Sequence, residues 1–175
     1  KKQRMEVIPS FQVDHSNLMP GIYISRLDES GANQITTFDI RMTAPNKEPA
    51  INVAALHTIE HIAATYLRNH DGWKQRVVYW GPMGCLTGNY LVMKGKFDME
   101  VMRQLMIEAF QYVVDYDDEV PGTTSATCGN YLMHDLPMAK FEARRYVSRL
   151  KESFCSTYPG VERPKALGGM TFFDA

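Results

Sequence analysis

Leu56-His57-Thr58-Ile59-Glu60-His61 places two histidines four residues apart in a 175-residue chain. On a helix, positions i and i+4 project from one face a turn apart, so the two imidazoles can grip a single metal ion. Glu60 lies on the same side. H-x-x-E-H is the spacing of the inverted zinc hydrolases, in which the Glu moves protons rather than binding metal. The plainer reading is a helix with two surface histidines and a solvated glutamate. Three fixed positions are a short pattern, so the rest of the chain has to choose between the two.

Upstream, Ala44-Pro45-Asn46-Lys47-Glu48-Pro49 forbids regular structure, and Asn52 is a natural N-cap for a helix running to Asn69. Val53, Leu56, Ala63 and Leu67 form an apolar stripe at helical spacing, which puts the histidines beside a buried face. Further upstream, Ile22 to Leu27 and Ile35 to Met42 are rich in β-branched and aromatic residues. A polar turn over Asp28–Asn33 separates them, and the pattern predicts an antiparallel hairpin. Asp39 and Arg41 share a face of the second strand. They can pair with each other, or Arg41 can serve a substrate. Val7 to His15 reads as an arm or edge strand broken by Pro9.

Downstream, Val77-Val78-Tyr79-Trp80 reads as a strand that enters Gly81-Pro82-Met83-Gly84-Cys85-Leu86-Thr87-Gly88 and leaves as the strand Asn89–Met93. Glycines around a cysteine permit tight turns and close approach of a ligand. A free cysteine is otherwise a small buried hydrophobe. Asp98 caps a helix to about Tyr116, with Met102, Leu105, Met106, Ala109, Phe110 and Val113 facing inward. The acidic run Asp115–Glu119 is a solvated helix end. Pro121–Thr127 is a linker that delivers Cys128, and Asp135 caps a third helix to about Phe154. His134 is expected to steady that cap rather than bind metal. No repeat or second boundary is visible. The expectation is one α+β domain, residues 1–175, an antiparallel sheet packed against helices, with an arm at 1–9 and an irregular tail at 156–175.

Composition excludes several classes. The chain is 45% hydrophobic and 22% charged with net charge −1, which gives no electrostatic case for nucleic acid or an anionic membrane. No apolar run approaches the roughly 18–20 residues that span a bilayer. The basic start Lys1-Lys2-Gln3-Arg4 is not followed by the apolar core of a signal peptide. Three cysteines, Cys85, Cys128 and Cys155, cannot all pair within one chain, which points to a reducing cytoplasm.

A helical His pair needs a third ligand to hold a divalent metal with a position left open. Cys128 suits the task, following a flexible linker and preceding a glycine. Spacing leaves Cys85 as the alternative. A thiolate with two imidazoles accepts either zinc or ferrous iron.

The chain resembles the S-ribosylhomocysteine lyase family, LuxS. The resemblance rests on Ser10-Phe11-Gln12-Val13-Asp14-His15, Phe38-Asp39-Ile40-Arg41, His57-Thr58-Ile59-Glu60-His61, Gly81 to Gly88, and Cys128-Gly129-Asn130 with His134-Asp135-Leu136. These blocks run in family order over roughly residues 10 to 150. The resemblance implies His57, His61 and Cys128 as metal ligands, Cys85 as the catalytic thiol and Glu60 as a second acid/base. It places Ser10, His15 and Arg41 at the substrate pocket. It implies a homodimer with one divalent metal per subunit, Fe2+ or Zn2+, acting on the small molecule S-ribosylhomocysteine to yield homocysteine and 4,5-dihydroxy-2,3-pentanedione, the autoinducer-2 precursor. The arm is expected to reach into the neighbouring subunit's site. Tyr79-Trp80, Leu86 and Asn89 depart from the family's usual residues, and the tail after Ser156 has no family counterpart. Two other functions compete: an H-x-x-E-H metallopeptidase, and a non-enzymatic metal-binding or dimerisation module.

Overall fold

The computed structural model describes residues 5–161. The basic start Lys1–Arg4 and the tail positions Pro164, Gly168 and Gly169 lie outside the described residues. Four strands form one antiparallel sheet: β1 Gly21–Ser30, β2 Asn33–Arg41, β3 Val77–Pro82 and β4 Gly88–Lys94, in the order β1-β2-β4-β3. Three helices, α1 Val53–Asn69, α2 Met99–Asp115 and α3 Leu136–Glu152, pack together on one face of it. The architecture is α+β, as the hydrophobic patterns require.

The β1–β2 hairpin is tighter than the polar composition of Asp28–Asn33 suggests. Ser30 pairs with Asn33, so only Gly31 and Ala32 form the loop. Gly31 sits at φ +61°, a conformation that costs glycine nothing, and the ladder runs to the end of both strands. Likewise β3 runs past Trp80 through Gly81 and Pro82, so the turn that carries Cys85 starts only at Met83.

Side-chain alternation sorts the sheet into two faces with different chemistry. Ile22, Ile24, Phe38, Ile40, Leu91, Met93 and Trp80 belong to the large buried core shared with the helices. The opposite face carries a polar row, Tyr23 paired with Asp39 and Asp39 with Tyr90. The adjacent row is Gly21, Arg41 and Gly88.

α1 starts where its cap requires. Asn52 Oδ1 accepts from the backbone N–H groups of Ala54 (2.9 Å) and Ala55 (3.3 Å), an arrangement that stabilises a helix by about 1 kcal/mol. Leu56, Ile59, Ile62, Ala63 and Leu67 are fully buried, and truncating Ile59 to alanine would cost about 2–5 kcal/mol. Val53, expected in that stripe, is exposed instead. The apolar face of α2 matches the expected residues, and α3 buries Ala139, Glu142, Ala143, Tyr146, Val147 and Leu150.

Two candidate half-sites

The first half-site is built on α1. His57 Nδ1 donates to Met133 O at 2.7 Å, and His61 Nδ1 donates to Pro121 O at 2.6 Å. A carbonyl can only accept, so each ring carries its proton on Nδ1 and presents Nε2 as a lone pair. This is the outer-shell arrangement that orients histidine ligands toward a metal. Cys128 Sγ lies 3.5 Å from His57 Nε2 and accepts from Asn130 N–H at 3.4 Å. Metal–nitrogen bonds of about 2.0–2.1 Å and a metal–sulfur bond of about 2.3 Å, meeting at a tetrahedral angle, hold the two donor atoms about 3.6 Å apart. The donor set therefore fits a divalent metal.

His134 joins this group, against the expectation that it only steadies a cap. Its ring stacks on His57 with centroids 4.0 Å apart and planes 23° apart. Ligand atoms of His57, His61, Cys128 and His134 all lie within 4.8 Å of one another. Thr58 fixes its tautomer. The Thr58 hydroxyl has one proton, donated to Ala54 O at 3.0 Å, and its oxygen accepts from Asp135 N–H at 2.9 Å. The contact with His134 Nδ1, at 3.1 Å, must then be a donation from the ring. His134 Nε2 is left as a buried lone pair without a hydrogen-bond partner among the described residues. Burial, then the neighbouring His57 and His61, lower its pKa to about 4, so the ring is neutral. Three imidazole lone pairs and a thiol sulfur converge, a grouping that calls for a cation. The place of His134 in this group is visible only once α3 is docked on α1. The one sequence signal was its place six residues after Cys128, which alone carries no ligand spacing. Glu60 is half-buried on α1 beside His61.

The second half-site lies on the polar face of the sheet. Cys85 is exposed at the tip of the turn, with Arg41 NH1 3.7 Å and Thr87 Oγ1 3.1 Å from its sulfur. Arg41 NH1 also donates to Thr87 Oγ1 at 2.7 Å, which leaves the Thr87 proton for the sulfur. Gly88 is required here, since a Cβ would stand 2.1 Å from Ile40 O. The left-handed residue in this turn is Leu86, at φ +61°, rather than a glycine. A bulky residue there costs of order 1–3 kcal/mol and persists because its surroundings hold it. Ile51 N–H donates to Leu86 O at 2.8 Å, and Leu86 packs against the main core.

Asp39 and Arg41 form a buried ion pair, with Arg41 Nε donating to Oδ1 at 3.0 Å and NH2 to Oδ2 at 2.7 Å. Burial works against the guanidinium charge, but Asp39 outweighs it and raises its pKa. The pairing is realised, and a small open cleft beside it is lined by Pro9, Ser10, Val13, His15, Ser25, Asp39, Arg41, Tyr90 and Tyr158. His15 Nδ1 donates to Val13 O at 2.8 Å and keeps Nε2 as an acceptor. Ser10 and His15 of the arm thus line the same cleft as Arg41 of their own chain. No hydrogen bond, ion pair or ring contact joins the Cys85 group to the His57–His61–Cys128 group among the described residues.

A cation-ready cluster and a thiol beside an arginine, on one α+β domain, define a candidate metalloenzyme. The model of the S-ribosylhomocysteinase (LuxS) family matches residues 8–156. The chain is 59% identical over 148 residues to the S-ribosylhomocysteine lyase of Phocaeicola vulgatus, covering 85% of this chain and 92% of the relative. It is 57% identical to that of Porphyromonas gingivalis (82% and 90% covered) and 48% identical to that of Clostridium acetobutylicum (83% and 92%). The chain belongs to the S-ribosylhomocysteinase (LuxS) family.

Proposed function

We propose that the protein is a carbon–sulfur lyase that cleaves the thioether of S-ribosylhomocysteine, releasing homocysteine and 4,5-dihydroxy-2,3-pentanedione, the autoinducer-2 precursor. The observation that carries the reading is the pairing of a His-His-Cys cluster with a thiol held beside an arginine, in a chain of this family.

The chemistry asks for two proton-moving groups and a means of holding negative charge. The substrate carbonyl must migrate along the ribose chain until the sulfur lies β to it. Each migration removes a proton next to the carbonyl and returns one at the neighbouring carbon. A divalent metal held by His57, His61 and Cys128 would supply Lewis-acid stabilisation of charge developing on the substrate's oxygens. Cys85, with Arg41 and the Thr87 hydroxyl beside its sulfur, is suited to act as a thiolate base. Glu60 serves the second proton position, and a final proton abstraction expels the homocysteine thiolate. Ser10, His15 and Arg41 bind the substrate in the cleft. His134 presents its Nε2 lone pair to the same cluster, as a further ligand or an acceptor.

The functional unit we infer is a homodimer with one Fe2+ or Zn2+ per subunit, in a reducing cytoplasm. The lack of a hydrogen bond, ion pair or ring contact between the two groups among the described residues supports the dimer, since a two-fold axis can bring one chain's cluster to its partner's thiol. Three unpaired cysteines support the compartment. No helix among the described residues is long and apolar enough to cross a membrane. A metallopeptidase is disfavoured, because amide hydrolysis has no use for Cys85 and its arginine. Purified protein loaded with Fe2+ or Zn2+ is expected to release one thiol from each S-ribosylhomocysteine consumed, followed with a thiol reagent. Absence of thiol release from loaded, folded protein would refute the reading.

A further inference from the structure

The family match ends at residue 156, yet the chain's ordered contacts with the pocket do not. We propose that Tyr158, two residues beyond that match, is a positioning residue of the proton-transfer half-site: its hydroxyl fixes the Asp39–Arg41 pair and, through it, the guanidinium that faces Cys85. The inference rests on the lyase reading for its consequence in turnover, although its geometry stands without it.

Tyr158 Oη donates to Asp39 Oδ2 at 2.8 Å, the same oxygen that accepts from Arg41 NH2 at 2.7 Å. Asp39 is 2% exposed, so each of its lone pairs must find a donor inside the protein. Arg41 supplies two, and Tyr158 supplies a third. With the carboxylate pinned, the guanidinium has one available plane, and in that plane NH1 reaches Thr87 at 2.7 Å and the Cys85 sulfur at 3.7 Å. Burial first, and then Asp39, push the Tyr158 phenol well above its ordinary range, so it remains a donor at any working pH.

The segment after α3 is anchored so that the hydroxyl arrives in place. Ile22 N–H donates to Cys155 O at 3.0 Å, an approach that Gly21 permits, since a Cβ there would stand 2.2 Å from that oxygen. The Tyr158 ring stacks on Tyr23 at 4.7 Å with planes 7° apart, in a small second core with Leu18. Val13, in the arm between Ser10 and His15, packs against this core. One aromatic ring therefore supports the arm while its hydroxyl sets the ion pair.

Tyr158→Phe keeps the ring and deletes only the hydroxyl; Tyr158→Leu deletes both. Four quantities separate the roles: melting temperature, bound metal, turnover of S-ribosylhomocysteine, and the rate of Cys85 alkylation by iodoacetamide at pH 7, read on the Cys85 peptide by mass spectrometry. Tyr158→Phe should hold its metal and melt near wild type. Its kcat should fall about 5–20-fold with KM nearly unchanged, and Cys85 alkylation should slow several-fold. Alkylation and turnover within about twofold of wild type would overturn the proposal and leave Tyr158 as a packing residue. A Phe variant that melts as low as the Leu variant while alkylating like wild type would overturn it too. If wild-type protein released no thiol at all, the lyase reading would fail, while the alkylation comparison would still decide the positioning claim.

Discussion

The two half-sites are built on opposite principles. The α1 cluster gathers three imidazoles and a sulfur, each ring held through Nδ1 by a hydrogen bond that turns Nε2 toward the group. Its donor set is one that could hold a cation. The Cys85 half-site already contains its cation, Arg41, balanced by a buried carboxylate. Under the proposed lyase reading this contrast becomes a division of labour, with charge held at the helix cluster and protons moved by Cys85 on the sheet and Glu60 on α1.

The comparison is broken most forcefully at the two proposed proton-moving groups, Cys85 on the sheet and Glu60 on α1. Cys85→Ala and Glu60→Gln should each lower turnover by ~10²–10⁴-fold, the usual contribution of a general acid or base, while bound metal stays near wild type. Loss of metal in Cys85→Ala would mean that the two half-sites share a ligand, and the division would be wrong.

A smaller, geometrical test asks how the halves meet. Because the arm, Arg41 and Cys85 sit together in one chain, variants of the arm and of Cys85 damage the same half and should not rescue one another. Cys85→Ala and Cys128→Ala damage different halves. After subunit exchange, half the dimers are hybrids, and each hybrid has one intact site if sites form across the two-fold axis. Activity should recover to about a quarter of wild type, a figure that follows from symmetry and random mixing. No recovery, with exchange confirmed by mass spectrometry, would place each site within one chain.

The smallest effect concerns the frame that holds both halves. Glu48, in the loop before α1, accepts from Arg149 NH1 at 2.8 Å and from Ala44 N–H at 2.6 Å, and pairs with Arg149 NH2 and Arg145. The bond from Arg149 leads the causes that lower its pKa below 4.5. A carboxylate with a depressed folded-state pKa contributes stability above its unfolded value and loses it as pH falls through the folded one. Glu48→Gln should therefore cost about 1–2 kcal/mol at pH 7 by urea unfolding, and the deficit should shrink below about pH 4. A pH-independent deficit would assign the loss to packing.

Local rules made most of the frame legible. Asn52, Asp98 and Asp135 cap the three helices as their sequence positions require, and the α2 face from Met102 to Val113 is buried as its spacing dictates. His57, His61 and Cys128 converge as expected. What escaped depended on long-range packing. His134 is a ligand candidate only because Thr58, 76 residues away, fixes its ring. Tyr158 reads as part of an irregular tail until Gly21 and Tyr23 are seen to receive that segment. Leu86 gave no hint of its positive φ, because glycines flank it and invite that role for themselves.

The division of labour itself is tested most directly by measuring bound metal and homocysteine release together on wild type and Cys128→Ala. Wild type should carry about one divalent ion per chain and release thiol, as one cluster per subunit requires. Cys128→Ala should lose both together, since two imidazoles alone hold a divalent ion weakly. A Cys128→Ala protein that folds, keeps its full complement of metal and still releases homocysteine would contradict the account.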